Sequence, residues 1–315
     1  RYVSLNPQNE QQKGFFMNTQ TRQKKHLLLD HPILASIVLY VLYLLLSTLI
    51  GLFAGSGSSN PVLAEFNSFV ILVLPALFIS LMVKMILKNG YILGFRTDNL
   101  AECLKLGWLF PVFLIFLTFV NGLEFSWLFK MTTASFLTAL FGAAAAGFGE
   151  EIMFRSVMAN NMMRVWADKK AGIYAAAAVS AVIFGLTHLI NALLAGFTPA
   201  LFSQVLYASA MGFLFAAMYL RTRNLWGCII MHTLFDFVNF LFLSGTTTDQ
   251  SLNTMLSAPV SVTGLIVDAV LIVSCIAVSL YILRPSKHEK IKSNWVTAAE
   301  KKTDKLPLIP AAQTA

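Results

Sequence analysis

Apolar segments of about twenty residues recur along the chain, and they constrain the fold more than any other feature. The first, residues 32–54, reads "PILASIVLYVLYLLLSTLIGLFA". A helix of roughly 20 apolar residues is long enough to cross the hydrocarbon core of a bilayer. Only 12% of the residues are charged, which is about half of the fraction usual in soluble domains. The sequence therefore predicts an all-α, polytopic helix bundle in a membrane.

The distribution of basic residues predicts the orientation of this bundle. We predict eight spans, at residues 33–54, 66–87, 104–121, 136–158, 172–194, 200–220, 225–243 and 262–283. Lysine and arginine lie in the N-terminal segment, in alternate loops and in the tail, whereas the loops between them carry almost none. By the positive-inside rule, both termini are expected to be cytoplasmic, in a multi-pass protein of the cell membrane.

The net charge of +8 lies mostly at the chain ends and in a few loops. It is expected to contact anionic lipid headgroups, and it does not suggest nucleic acid as a partner. The three cysteines are scattered and form neither a disulfide framework nor a zinc-ribbon spacing. The chain opens on Arg1, and Met17 is an alternative start. The first apolar run is too long for a signal-peptide core and is interpreted as a retained anchor.

Ionisable residues inside the predicted spans concentrate in three of them. These are Glu150, Glu151 and Arg155 in the fourth span, His188 in the fifth, and His232 and Asp236 in the seventh. A charged side chain near the bilayer centre costs roughly 2.5–3.5 kcal/mol on insertion scales, and such residues usually mark a functional interior.

Helical spacing separates the two glutamates of the fourth span. Glu151 and Arg155 are four residues apart, so they share a helix face and are expected to form an ion pair. Glu150 has no such partner. An unpaired carboxylate in an apolar segment can take up a proton, which suits a general base. Gly147 and Gly149 are expected to allow close approach by another helix or by a substrate.

The histidines follow the same spacing. His232 shares a face with Asp236, which is expected to orient the imidazole, and His188 shares a face with Phe184. Each single residue is also compatible with a packed, hydrogen-bonded core position. The combination of one surplus carboxylate and two histidines on three spans instead indicates a hydrolase site. Glu150, His188 and His232 can hold Zn²⁺ with an open fourth position, or they can act on water without a metal.

Three short motifs occur in order on successive apolar segments: "EEIMFR" (EExxxR), "FGLTH" (FxxxH) and "HTLFD" (HxxxD). In this order they resemble the CPBP family of intramembrane proteases, which groups type II CAAX prenyl endopeptidases with bacteriocin-processing and bacteriocin-immunity proteins. The resemblance implies that Glu150 is the catalytic glutamate, that His188 and His232 belong to the site, and that Asp236 occupies a site position. It also implies that Arg155 supports Glu151.

The chain is thus predicted to contain five segments. They are a polar, basic N-terminal segment (1–31), three transmembrane helices (32–132), the CAAX-protease-like core (133–245), a loop with the last transmembrane helix (246–284) and a basic cytoplasmic tail that we expect to be disordered (285–315). The site is expected in the cytoplasmic half of the membrane, which requires the fourth and fifth helices to extend into the cytosol.

Three functions are compatible with this pattern. The first is an endopeptidase that cleaves a peptide or a membrane protein, in bacteriocin maturation, self-immunity or CAAX-like processing. The second is a non-catalytic immunity protein of the same fold. The third is a proton or metal-ion carrier, which would more naturally show an internal repeat. No motif position is replaced by an apolar residue, which favours the endopeptidase.

Overall fold

The described part of the chain is a bundle of helices. The computed structural model describes residues 30–54, 58–87, 93–120, 131–246, 256–257 and 259–303, and no strand occurs among them. The helices are α1 (Pro32–Ala54), α2 (Pro61–Leu87), α3 (Leu100–Leu106), α4 (Leu109–Val120), α5 (Thr133–Glu151), α6 (Asn160–Trp166), α7 (Gly172–Thr187), α8 (Ala192–Ala195), α9 (Pro199–Thr222), α10 (Leu225–Thr246), α11 (Val262–Ile282) and α12 (His288–Thr303). The predicted all-α membrane bundle is confirmed.

Six helices in the described part are long and apolar enough to cross a membrane. They are α1, α2, the continuous run Thr133–Trp166, the run Gly172–Asn191, α9 and α11. The third predicted span is divided into α3 and α4 near Gly107, and the apolar part of α10, Leu225–Leu241, is shorter than the other six. The count of eight spans and the cytoplasmic location of the termini therefore stay predictions.

Helix α5 lies between two neighbours that it contacts closely. It packs against α2 on one side and α10 on the other, while α9 packs against α7 and α11. A Cβ atom added to Gly147 would collide with Oγ1 of Thr233 in α10, and one added to Gly149 would lie 3.1 Å from Cβ of Leu72 in α2. The absence of side chains at these two glycines allows the helices to pack closely, as their positions predicted.

The fourth predicted span is longer and less regular than the others. The run Thr133–Trp166 has 34 residues, which corresponds to about 50 Å at 1.5 Å per residue. This exceeds the roughly 30 Å of the hydrocarbon core, so the run is long enough to extend past the membrane, and the depth of the site stays a prediction. Its middle part, Ile152–Ala159, is a π-helix.

The expected disorder of the tail is wrong for residues 285–303, which form a short 3₁₀ turn and α12. Ile291 and Trp295 are four residues apart, so they lie on one face of an otherwise polar helix, and both are buried. Trp295 Nε1 donates to the carbonyl of Leu220 at 2.9 Å. The final turn of a helix leaves carbonyl groups without helical partners, so α12 is held by satisfying the end of α9. Residues 304–315 lie outside the described part.

Candidate active site

The Glu151–Arg155 pair is present and sealed inside the bundle. Arg155 Nε lies 3.0 Å from Oε2 of Glu151, and the two side chains are 1% and 0% exposed. The guanidinium also donates to the carbonyl of Gly212 at 3.3 Å. Its carbon atom lies 4.8 Å from the ring centroid of Phe184 and 5.3 Å from that of Phe215. Arg155 thereby connects the fourth predicted span to α7 and α9.

Glu151 has a second contact that helical spacing did not predict. Its Oε1 lies 2.8 Å from Nδ1 of His232, a residue 81 positions away in sequence. An ionised carboxylate only accepts hydrogen bonds, so Nδ1 of His232 carries a hydrogen and donates it. Sequence reasoning gave the orientation of this imidazole to Asp236 alone. In the structure, Glu151 holds one ring nitrogen and Asp236 lies beside the other.

The second nitrogen of His232 faces a more open part of the site. Nε2 lies 3.3 Å from Oδ2 of Asp236 and 3.7 Å from Oε2 of Glu150. The Glu150 side chain is 29% exposed and that of Asp236 is 22% exposed. Two carboxylates with access to the surroundings therefore lie on the Nε2 side of the ring, and one fully buried carboxylate lies on the Nδ1 side.

His188 reaches the same region from α7. It begins the 3₁₀ segment His188–Asn191, and its Nδ1 lies 3.1 Å from the carbonyl oxygen of Phe184. A carbonyl only accepts, so Nδ1 donates, and Nε2 of the neutral ring is left as an acceptor. His188 and His232 both contact the ring of Phe184, and His232 lies beside Glu150. The structure thus brings together the glutamate and both histidines that the sequence singled out.

Two aromatic rings give the imidazoles their positions. Phe184, which the motif predicted as a supporting residue, packs edge-on against His188 and His232, with ring centroids at 5.1 and 6.1 Å. Phe215 of α9 stacks on His232 at 5.1 Å and 18° between the ring planes. Sequence reasoning missed Phe215, because nothing in an apolar helix distinguishes the aromatic residue that will stack on an imidazole.

Two of the three motifs, EExxxR and FxxxH, lie where the helix geometry changes. Glu150 and Glu151 are the last residues of α5, and the π-helix begins directly after them. His188 is the first residue after α7, where the 3₁₀ segment begins. Single π-helical turns and 3₁₀ segments inside helices are often found at functional sites. Neither change of geometry was predicted.

Sequence reasoning also overlooked acidic residues inside other spans. Asp268 lies in α11 and accepts a hydrogen bond of 2.5 Å from Ser203 of α9. Glu65 lies in the first turns of α2, where Oε2 is 3.2 Å from the place that a Cβ on Gly142 would take. The expectation that ionisable groups concentrate in three spans is therefore too narrow. Both residues were visible in the sequence as acids within apolar runs.

The predicted zinc site consists of Glu150, His188 and His232. Within the described residues, no group of three or more histidine, cysteine, aspartate or glutamate side chains is arranged to hold a metal ion. The Nε2 atom of His232 lies between the carboxylates of Glu150 and Asp236. The residues as placed do not form a ligand set for Zn²⁺, and the zinc prediction stays a prediction that metal analysis can decide.

Comparison with known proteins adds one match. Residues 132–238 match the family model described as Type II CAAX prenyl endopeptidase Rce1-like. The predicted family resemblance is confirmed for this part of the chain. The match supports a membrane protease of the CAAX type, and it contains all the predicted site residues: Glu150, Glu151, Arg155, Phe184, His188, His232 and Asp236. No curated protein and no solved structure matches the chain.

Proposed function

We propose that this chain is an intramembrane endopeptidase in which Glu150 activates water for attack on a peptide carbonyl. The observation that carries the proposal is the difference between the two adjacent glutamates. Glu151 is fully buried and bound by Arg155 and His232, whereas Glu150 is partly exposed and has no cation in its own helix. A base that acts on water needs both a free carboxylate oxygen and access to water.

In the first step, a water molecule beside Glu150 gives a proton to the carboxylate as its oxygen bonds to the carbonyl carbon. The acceptor Nε2 of His188 helps to orient this water. The carbonyl oxygen becomes an oxyanion. When the His232 ring carries both hydrogens, its Nε2–H is a donor that stabilises this negative charge, and preorganised donors of this kind commonly supply a large part of catalysis.

In the second step, the tetrahedral intermediate collapses and the bond between carbon and nitrogen breaks. Glu150 returns its proton to the leaving amine, so the carboxylate is regenerated and no other reactant is needed. Glu151 and Arg155 do not touch the substrate in this scheme. They hold His232 by its Nδ1 atom and keep Nε2 directed at the reacting carbonyl.

The substrate that we propose is the C-terminal region of a prenylated peptide or membrane protein, cleaved near the cytoplasmic surface. The family match favours CAAX-like processing over a role in bacteriocin maturation or self-immunity. A site inside a membrane-embedded helix bundle is also suited to a peptide that carries a prenyl group, since this hydrocarbon group partitions into the core of the bilayer.

The experiment is peptide hydrolysis by purified full-length protein in detergent. The probes are a farnesylated peptide that ends in Cys-aliphatic-aliphatic-X and an unmodified peptide library. We expect the wild type to release the C-terminal tripeptide and Glu150→Gln to be slower by about 10²-fold or more. Glu65→Gln, a change of a second intramembrane glutamate outside the site, is the matched control and keeps activity. Equal cleavage by wild type and Glu150→Gln would refute the proposal.

A further inference from the structure

The longer helices form two groups, and the site lies between them. Helices α2, α5 and α10 pack together, and α7, α9 and α11 pack together. Glu150, His232 and Asp236 come from the first group, whereas His188 and Phe215 come from the second. The π-helix and α3 each contact both groups, and both lead to the end of the bundle that carries α12. The groups are therefore joined most closely at that end.

Two hydrogen-bonded polar pairs lie in the second group, near the opposite end of the bundle. Asn191 Nδ2 donates to Oε1 of Gln204 at 3.0 Å, and Ser203 Oγ donates to Oδ2 of Asp268 at 2.5 Å. Ser203 and Gln204 lie in the second turn of α9, about 6–8 Å from its start at 1.5 Å per residue. Helix α12 is bound to the last turn of α9, so these pairs lie at the end that α12 does not cover.

Asn191 and Gln204 connect this end to the site. His188 and Asn191 are the first and last residues of one 3₁₀ segment, and residues three apart in such a helix lie one above the other, about 6 Å apart along its axis. Gln204 lies on the face of α9 that presents Phe215 to His232, because the two positions are separated by about three helical turns. Polar side chains therefore continue from the uncovered end toward His188.

The accessible side chains of α9 differ in polarity from one face to the next. Phe202 and Leu206 share one face and are 52% and 61% exposed, as expected for contact with lipid. Ser203 and Gln204 point away from that face and are partly exposed. Asp268 is also partly exposed, and it forms no ion pair in the part of the chain that the structure describes. Carboxylates within spans usually face a paired cation or a water-filled cavity, and water is the remaining partner here.

We propose that Asp268, Ser203, Gln204 and Asn191 line a water-filled cleft that supplies the site with the water used in hydrolysis. This inference rests on the proposed function, because hydrolysis consumes water and the hydrocarbon core holds almost none. Asp268 and Ser203 lie at the mouth of the cleft, and Gln204 and Asn191 lie between the mouth and His188. Asp268 is outside the matched residues 132–238, so α11 is added to the functional unit. Polar pairs also hold membrane helices together, and the tests separate hydration from packing.

The first test measures hydration of the cleft and does not depend on activity. Ser203→Cys and Asn191→Cys introduce a thiol in the cleft, and Leu206→Cys introduces one on the lipid face as the control. The full-length protein in lipid nanodiscs is treated with a charged methanethiosulfonate, which dissolves in water and not in lipid. Mass spectrometry identifies the labelled peptide, since the three native cysteines are buried. We expect both cleft thiols to react at least about tenfold faster than the control, because the thiolate is the reactive form and needs water to ionise.

The order of the rates decides this test. Leu206 is more exposed than Ser203, so exposure without hydration of the cleft predicts that Leu206→Cys reacts fastest. Equal rates or this reverse order would overturn the inference.

The second test asks whether water from the cleft limits hydrolysis. Asp268→Leu makes the mouth apolar, whereas Asp268→Asn keeps a polar side chain of the same size. We expect kcat for the farnesylated peptide to fall about tenfold in Asp268→Leu with unchanged KM, and to stay near the wild type in Asp268→Asn. An unchanged kcat in Asp268→Leu, an equal loss in both variants, or a loss explained by a lower melting temperature would overturn the inference. If the wild type cleaves no peptide, the proposed function fails, while the labelling still decides whether the cleft holds water.

Discussion

The two ring nitrogens of His232 face carboxylates that differ in burial, in distance and in ion pairing. On the Nδ1 side, Glu151 is fully buried, lies 2.8 Å from the ring and is neutralised by Arg155 at 3.0 Å. On the Nε2 side, Glu150 and Asp236 are partly exposed and lie 3.7 and 3.3 Å away. The first side is buried, whereas the second is partly exposed.

This difference shows how one short motif can supply two functions. Adjacent residues of a helix point about 100° apart, so the pair in "GEEIM" directs one carboxylate into the bundle and the other toward the opening. The buried carboxylate is stable because a guanidinium and an imidazole share it. The open carboxylate remains free to exchange a proton.

Arg155→Ala is expected to destabilise the protein most. It leaves Glu151 as a buried charge with only His232 beside it, and removing one partner of a buried pair typically costs about 3–5 kcal/mol. We expect a low folded yield in detergent and a strongly reduced melting temperature. The matched control is Arg96→Ala, which breaks the exposed pair with Asp98 and should leave the melting temperature nearly unchanged. Wild-type melting of Arg155→Ala would show that the closed side is not structural.

Changing each glutamate to glutamine is expected to have different consequences, a loss of stability for Glu151 and a loss of turnover for Glu150. Glu151→Gln leaves Arg155 charged without a carboxylate, so the melting temperature should fall first and activity should follow. Glu150→Gln keeps the shape of the open side and removes only the base, so the protein should melt like the wild type while turnover falls by about 10²-fold or more. Melting and turnover are measured for both variants in one detergent. The reverse assignment would be required if Glu150→Gln unfolds and Glu151→Gln is folded but inactive.

Much of this site could be predicted from local spacing. The pairs Glu151–Arg155 and His232–Asp236 are each four residues apart in one helix, and the structure contains both contacts. The Glu151–His232 contact could not be predicted in this way, because it depends on how α5 packs on α10. Phe215 is a similar case, since its contact with His232 depends on the packing of α9.

The missed parts of the fold have a related cause. A π-helix after Glu151 and a 3₁₀ segment at His188 change the hydrogen-bonding pattern without any signature in the apolar periodicity. The tail was predicted to be disordered from its average composition, while Ile291 and Trp295 are buried and Trp295 hydrogen-bonds to the end of α9. Composition describes a segment as a whole, and these contacts depend on single side chains.

A smaller effect is expected for Asp236→Asn on the open side. The amide keeps a polar atom near Nε2 of His232, and Glu151 still holds Nδ1, so the ring should keep its position. We expect turnover to fall by about tenfold, because the donor at Nε2 loses a charged neighbour but is not removed. The melting temperature should change little. A loss as large as that of Glu150→Gln would mean that Asp236 is itself a base, and the division between Glu150 and Asp236 would need revision.

The smallest effect is expected from chelation, and it tests what the open side can bind. A zinc ion shared by Glu150, His188 and His232 would require both imidazoles to offer a lone pair from Nε2. The Nδ1 contacts of both rings, to Glu151 and to the Phe184 carbonyl, are compatible with that tautomer. However, these side chains are not arranged around a common point in the described residues. We therefore expect hydrolysis of the farnesylated peptide to survive exhaustive treatment with a strong chelator, with less than stoichiometric zinc in the purified protein. Magnesium-saturated chelator serves as the control for nonspecific effects. Stoichiometric zinc that is absent from both His188→Ala and His232→Ala would contradict this expectation, and it would mean that the three side chains move closer together when the metal binds.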